Sequence, residues 1–317
     1  MTTEPLSEQR VLDFFQHQLD TWPEVAQRFS DVADRLLLKL LHCGRNVLTI
    51  QCNPQRIRST AARVDRQSLQ RRPCFLCDVN RPDEQQELRV DSLYHILVNP
   101  YPILPRHLTI PTLRHQPQNL GALLTFLRRY VTALPHFLFF YNGPFCGASA
   151  PDHAHLQAVA RGFLPLERDW EQHAAGIQTI VPGISLLTDF VCPAFVLQLP
   201  GGEQDWPGLQ ILLNALPRRP ETGEPDFNLI AWAQDAGRIL LVLIPRSRHR
   251  PACYYATDRT QLLISPGALD MGGILVAPRQ ADFDSLTAPM AEALLQEVSL
   301  SKEQIQQVIH NIYTLYS

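Results

Sequence analysis

Apolar positions divide the chain into short elements. Between residues 5 and 42 they recur at helical spacing. Leu12, Phe15 and Leu19 share one face, and Val32, Leu36, Leu37 and Leu40 another, so the pattern predicts helix throughout. A strand follows at Asn46–Cys52, through Val47, Leu48, Thr49 and Ile50. Residues 53–73 are basic and read as a loop. Strands near 94–99 and 107–110 are joined by the turn Pro100-Tyr101-Pro102. A helix over 119–134 gathers Leu120, Leu123, Leu124 and Leu127 on one side. The aromatic run 137–141 reads as a buried strand. A Gly/Ser turn over 142–150 then leads into a strand over 153–160. Residues 161–225 are weakly patterned and rich in Pro and Gly. Beyond them the pattern predicts strands at 227–233, 239–244 and 273–277, followed by helices. The last helix opens on Ser301 with Gln304 three residues on, a capping-box pattern, and buries Ile305, Val308, Ile309 and Ile312.

This order of elements predicts an α+β fold with mostly antiparallel sheets. The expected division is an N-terminal helical segment over 1–45, a catalytic half over 46–198, a linker over 199–226 and a second half over 227–317. The linker is placed at Pro200-Gly201-Gly202 and the Pro-rich stretch that follows. One internal echo supports two halves. Ile110-Pro-Thr-Leu-Arg-His-Gln-Pro117 resembles Ile244-Pro-Arg-Ser-Arg-His-Arg-Pro251, and each copy follows a β-type run, which points to an old duplication. The second copy has no paired histidines downstream. Asp270-Met271-Gly272-Gly273 stands where they are expected.

Composition narrows the class. The chain has 317 residues, 45% of them hydrophobic and 19% charged, which suits a globular protein with a large core. A net charge of −3 argues against a general nucleic-acid binder. The start, Met1-Thr2-Thr3-Glu4-Pro5, lacks the features of a signal peptide, and no apolar run approaches a membrane span. Seven cysteines, an odd and sparse number, argue against a disulfide framework and for a reducing, cytoplasmic setting.

Chemistry concentrates in two places. The first is Gly147-Ala-Ser-Ala-Pro-Asp-His-Ala-His-Leu-Gln157. Along a strand, His153, His155 and Gln157 lie on one face, while Ala154, Leu156 and Ala158 face a core. Two imidazoles and an amide are thereby aimed at one spot. An imidazole nitrogen can attack phosphorus and form a covalent intermediate, and an amide can donate to a phosphoryl oxygen. The second is Cys74-x-x-Cys77 with His115 and His153, which together can share a tetrahedral zinc ion. His107 is an alternative to His115, but it sits inside an alternating strand whereas His115 follows the strand end. Arg56, Arg58 or Arg63 of the basic stretch can clamp phosphates, although solvated loop arginines have the same appearance. Asn142 and Ser149 flank the Gly turn and offer neutral donors, or serve the turn alone.

These residues resemble the histidine-triad superfamily, in the branch of galactose-1-phosphate uridylyltransferases, diadenosine-tetraphosphate phosphorylases and GDP-hexose phosphorylases. The carrying motif is Gly147-Ala148-Ser149 followed by His153-x-His155-x-Gln157. Asn142-Gly143, Leu108-Thr-Ile-Pro-x-x-x-His115 and Cys74-x-x-Cys77 support it, over about residues 74–161. The resemblance implies two histidine-triad-like halves, the second degenerate. It implies His155 as the nucleophile that takes a nucleoside monophosphate, Gln157 on the transferred phosphate, and Cys74, Cys77, His115 and His153 as zinc ligands. The implied substrates are a nucleoside diphosphate sugar or dinucleoside polyphosphate, with phosphate or a sugar phosphate as acceptor, in a chain that often forms dimers. A hydrolase using the same histidine, and a zinc-stapled nucleotide-binding protein without turnover, are the rival readings. One departure from the pattern is an extra residue, Asp152, between the Gly turn and the first histidine.

Overall fold

Residues 5–61, 66–219 and 223–317 are described by the computed structural model. The strands are β1 Leu37–Cys43, β2 Asn46–Cys52, β3 Leu88–Arg89, β4 His95–Val98, β5 Leu108–Pro111, β6 Phe137–Asn142, β7 His155–Ala160, β8 Ile177–Val181, β9 Ile184–Leu187, β10 Ala194–Pro200, β11 Phe227–Gln234, β12 Arg238–Pro245 and β13 Ile274–Ala277. The aromatic run 137–142 is apolar because β6 lies at the centre of a ten-stranded sheet and is buried at every position. Phe139 sits across from Ala158 on one side and Ala231 on the other, so small residues make room for its ring.

The sheet runs β3-β4-β5-β7-β6-β11-β12-β10-β9-β8, with every neighbouring pair antiparallel. Its two faces serve different layers. Strand β7 begins at His155 rather than at 153, and its Leu156 and Ala158, with Ala154 just before it, join a core with Val11, Phe15, Val25 and Phe29 of the N-terminal helices. Helices Leu124–Tyr130, Pro207–Ala215 and Lys302–Tyr316 complete that layer. On the other face, Leu138, Phe140 and Val159 pack with a small sheet of order β1-β2-β13 and with helix Ala288–Val298. Among the described residues, no helix is long and apolar enough to cross a membrane.

A duplication is visible in this topology. Strands β4 and β5, helix Leu124–Tyr130, then β6 and β7 repeat as β9 and β10, helix Pro207–Ala215, then β11 and β12. The two sets mirror each other across the β6–β11 border. In this mirrored order the second set of strands, with its edge strand β8, starts at Ile177. The segment expected to link the halves contains helix Pro207–Ala215, whose Leu209 and Leu212 are buried. Proline and glycine at its borders hid it from the pattern. In the repeat, β12 answers to β7, whereas the eight-residue echo pairs the ends of β5 and β12. The echo therefore does not mark equivalent positions. The counterparts of the histidines are not at 270–273 but on β12, where Leu240, Val242 and Ile244 occupy the face that β7 gives to His155 and Gln157.

The N-terminal segment is corrected as well. Helices span Glu8–Thr21 and Pro23–Asp34, but Leu37 and Leu40 belong to β1, where Leu37, Leu38 and Leu40 are exposed. Strand β1 turns into β2 through Gly44, whose φ of 59° suits the tight reversal.

The last helix starts as the pattern requires. Gln304 N–H donates to Ser301 Oγ at 3.2 Å, and Ser301 N–H donates to Gln304 Oε1 at 2.8 Å. Ser301→Ala is expected to cost about 1 kcal/mol of stability. Urea unfolding checks this, and an unmoved midpoint would assign the cap no weight.

Candidate active site

Two buried clamps set the ends of β6 and β7. Gln118 accepts from His155 N–H at 2.8 Å through Oε1 and donates through Nε2 to the carbonyls of Asn142, at 2.8 Å, and His155, at 3.1 Å. The turn between the strands passes so close to residues 266–267 that only glycine fits at 147. Its φ is 97°, and a Cβ there would lie 2.6 Å from Gly267 Cα. Asn142 Oδ1 accepts from Ala268 N–H at 2.7 Å and from Asn228 Nδ2 at 2.8 Å. Asn228 in turn accepts from the buried Arg246 at 2.6 Å. With Oδ1 occupied, the amide nitrogen of Asn142 is left as a donor at the cavity wall.

Hydrogen bonds set each ring tautomer. His153 Nε2–H donates to the Thr112 carbonyl at 2.8 Å, which leaves Nδ1 to face the cysteines. His155 Nδ1–H donates to the His153 carbonyl at 2.8 Å, which leaves Nε2 with its lone pair and no hydrogen-bond partner among the described residues. Burial pushes His155 down to about 4, so it is neutral and nucleophilic at pH 7. Gln157 Oε1 accepts from His107 Nε2–H at 2.9 Å, while His107 Nδ1 accepts from Ile103 N–H at 3.2 Å. The oxygen of Gln157 is thus tied inward, and its NH₂ is the end offered to the cavity. Asn99 Nδ2 donates to the same Gln157 oxygen at 3.4 Å and to Thr109 Oγ1 at 3.1 Å.

The cavity of about 980 Å³ is shared by both halves and the N-terminal helices. Asn142, Gly147, Ser149 and Gln157 line it, as do Trp22, Arg28, Arg56, Arg71, Arg72, Arg250 and Asp270. The His155 ring itself is 3% exposed, beneath neighbours that form the wall. Arg56 donates to the Tyr101 carbonyl at 2.8 Å, and burial draws its guanidinium down to about 10, opposed by Asp270. The side chain of Arg58 and the whole of Arg63 lie outside the described residues.

Cys74, Cys77, His115 and His153 converge, with their ligand atoms all within 4.8 Å of one another. Sulfur–nitrogen separations are 3.4 Å for Cys74–His153, 3.2 Å for Cys77–His115 and 3.6 Å for Cys77–His153. Tetrahedral zinc with ordinary Zn–S and Zn–N bonds places such atoms about 3.6 Å apart, so this set can hold a metal ion. His107 is not part of it.

Sequence reading missed Gln118, His107 as a support, and the contributions of Arg72, Arg250 and Asp270. Gln118 and His107 act through hydrogen bonds that bring distant backbone together, and no local pattern marks them. His107 is held neutral, since burial and the nearby Arg56 push it to about 3 from an ordinary 6.5. Its folded pKa is depressed, so its stabilisation is complete above pH 6.5 and is lost as pH falls towards 3, by up to about 1.4 kcal/mol per pH unit. Urea midpoints measured from pH 7 to pH 4 should fall more steeply for wild type than for His107→Asn. Parallel curves would discount the group.

Residues 14–160 match the family described as a domain of unknown function (DUF4922), and residues 220–317 match the family described as the GDPGP1-like, C-terminal domain. No curated protein matches the chain in sequence. Among solved structures, yeast Ap4A phosphorylase Apa2 superposes with a TM-score of 0.57 at 17% identity, over 88% of this chain and 96% of that one. Its complex with Ap4A gives 0.56 at 17%, covering 89% and 97%. Its complex with AMP gives 0.55 at 16%, covering 89% and 96%. The whole chain thus has the fold of these phosphorylase structures, and its last third matches the GDPGP1-like C-terminal domain family.

Proposed function

We propose that the protein is a nucleotidyltransferase or phosphorylase that acts on a nucleoside diphosphate sugar or a dinucleoside polyphosphate through a nucleotidyl-histidine at His155. The observation that carries the reading is the His155 tautomer. A backbone carbonyl holds Nδ1–H, so Nε2 has a lone pair on the face shared with the Gln157 donor. Nε2 attacks the α-phosphorus, and the bond from that phosphorus to the bridging oxygen breaks. The electron pair leaves with a sugar phosphate or nucleotide. The positive charge that develops on the imidazole is stabilised by the His153 carbonyl, and the charge on the phosphoryl oxygens by the Gln157 amide. A phosphate or sugar-phosphate oxygen then attacks the same phosphorus, and the P–N pair returns to Nε2. Because His155 is only 3% exposed, substrate binding has to shift part of its covering to admit the phosphorus.

Zinc held by Cys74, Cys77, His115 and His153 would have a structural part. It would fix the His153 ring, whose own carbonyl orients His155. The similar fold of an Ap4A phosphorylase and the GDPGP1-like domain support a nucleotide substrate. Phosphate as acceptor and a dimeric state belong to the same proposal.

His155→Ala is expected to lower turnover about a thousandfold or more, and Gln157→Ala about a hundredfold. The measurement is product formation from nucleoside diphosphate sugars and dinucleoside polyphosphates, with and without phosphate. Near-wild-type turnover in His155→Ala removes the nucleophile. Product formed equally without phosphate makes the enzyme a hydrolase. Nucleotide binding with no acid-labile adduct makes it a binding protein. For the metal, purified protein should carry about one zinc per chain and lose thermal stability on chelation. A ratio well below one in protein never exposed to chelator counts against the site.

A further inference from the structure

Asp152, in the turn before β7, has a specific partner. Arg72 Nη2 donates to Asp152 Oδ1 at 2.6 Å and to the Ser149 carbonyl at 3.3 Å. The same guanidinium lies over the Phe75 ring, 5.2 Å from its centroid, next to Cys74 in the metal-binding loop. Three contacts therefore fix the plane of the guanidinium. Its Nη1, however, is buried with no hydrogen-bond partner among the described residues. A purely structural ion pair tends to present both arms of the fork to both carboxylate oxygens. Here one arm makes both hydrogen bonds and the other makes none. Arg72, Phe75 and Ser149 all line the cavity.

We propose that Arg72 binds a phosphate oxygen of the substrate through Nη1, over the turn at residues 147–149, and that Asp152 is a positioning residue that holds the guanidinium in place. The proposal rests on the reading that the cavity takes a nucleoside di- or polyphosphate, and it leaves the transferred phosphate to Gln157.

Calorimetry on the full chain tests it, with ADP and GDP as probes beside adenosine and guanosine. Arg72→Gln should weaken binding of the diphosphate by about tenfold or more and leave the nucleoside unchanged. Asp152→Asn should weaken the diphosphate by a smaller factor. The double variant should match Arg72→Gln alone, because Asp152 acts through Arg72. Arg72→Lys, which keeps the charge without the fork, should fall between wild type and Arg72→Gln, and it replaces the Gln variant if that chain unfolds. Unchanged diphosphate affinity in Arg72→Gln overturns the proposal, as do multiplying losses in the double variant. A wild-type protein that binds diphosphate no better than nucleoside also overturns it. Failure of the covalent mechanism reads out separately, as the lack of an acid-labile adduct in wild type.

Discussion

Period-two alternation along β7, held between β5 and β6, is the constraint on which the rest depends. Because successive side chains point to opposite faces, Ala154, Leu156 and Ala158 must go into the helical layer. His155 and Gln157 must then go to the other face, where the cavity lies. A one-residue slip would bury an imidazole and an amide among the helices and expose the alanines. The apolar half of the strand thus enforces the polar half, and the Gln118 clamp at its first residue keeps the register there.

Around that strand the polar groups are oriented by backbone atoms more than by one another. The Thr112 carbonyl holds His153, the His153 carbonyl holds His155, and the Ile103 N–H holds His107. These backbone atoms belong to buried residues packed beside the sheet, so the tautomers are set before any ligand arrives. A preorganised lone pair and a preorganised amide donor require little reorganisation during reaction. The same chain of contacts joins the Cys/His cluster to the His155 ring, since His153 belongs to the first and its carbonyl holds the second.

The duplicated sheet explains why one half carries chemistry and the other only wall. In β12 the positions on the site face are Leu240, Val242 and Ile244, which pack into the core that backs the small sheet. Residues beyond β12 return to the first half's site instead. Arg246 holds Asn228, which holds Asn142, while Arg250 and Asp270 line the cavity.

By itself, the sequence determined the strand that bears His155 and Gln157, the Gly turn, the buried central strand and the cap of the last helix. These rest on spacing over a few residues, where backbone geometry dictates which side chains can meet; the Cys/His group, with members up to 79 residues apart, came from the resemblance instead. Only the tertiary structure decided that Leu37 to Cys43 form a strand rather than helix, because pairing with β2 overrode an apolar pattern consistent with either. The same holds for helix Pro207–Ala215 and the start of the second set of strands, which depend on the mirror order of the sheet. It also decided which charged groups line the cavity. Arg72, Arg250 and Asp270 arrive from segments far apart in the chain, and the packing of separate layers, unlike the period of a strand, leaves no trace in local order.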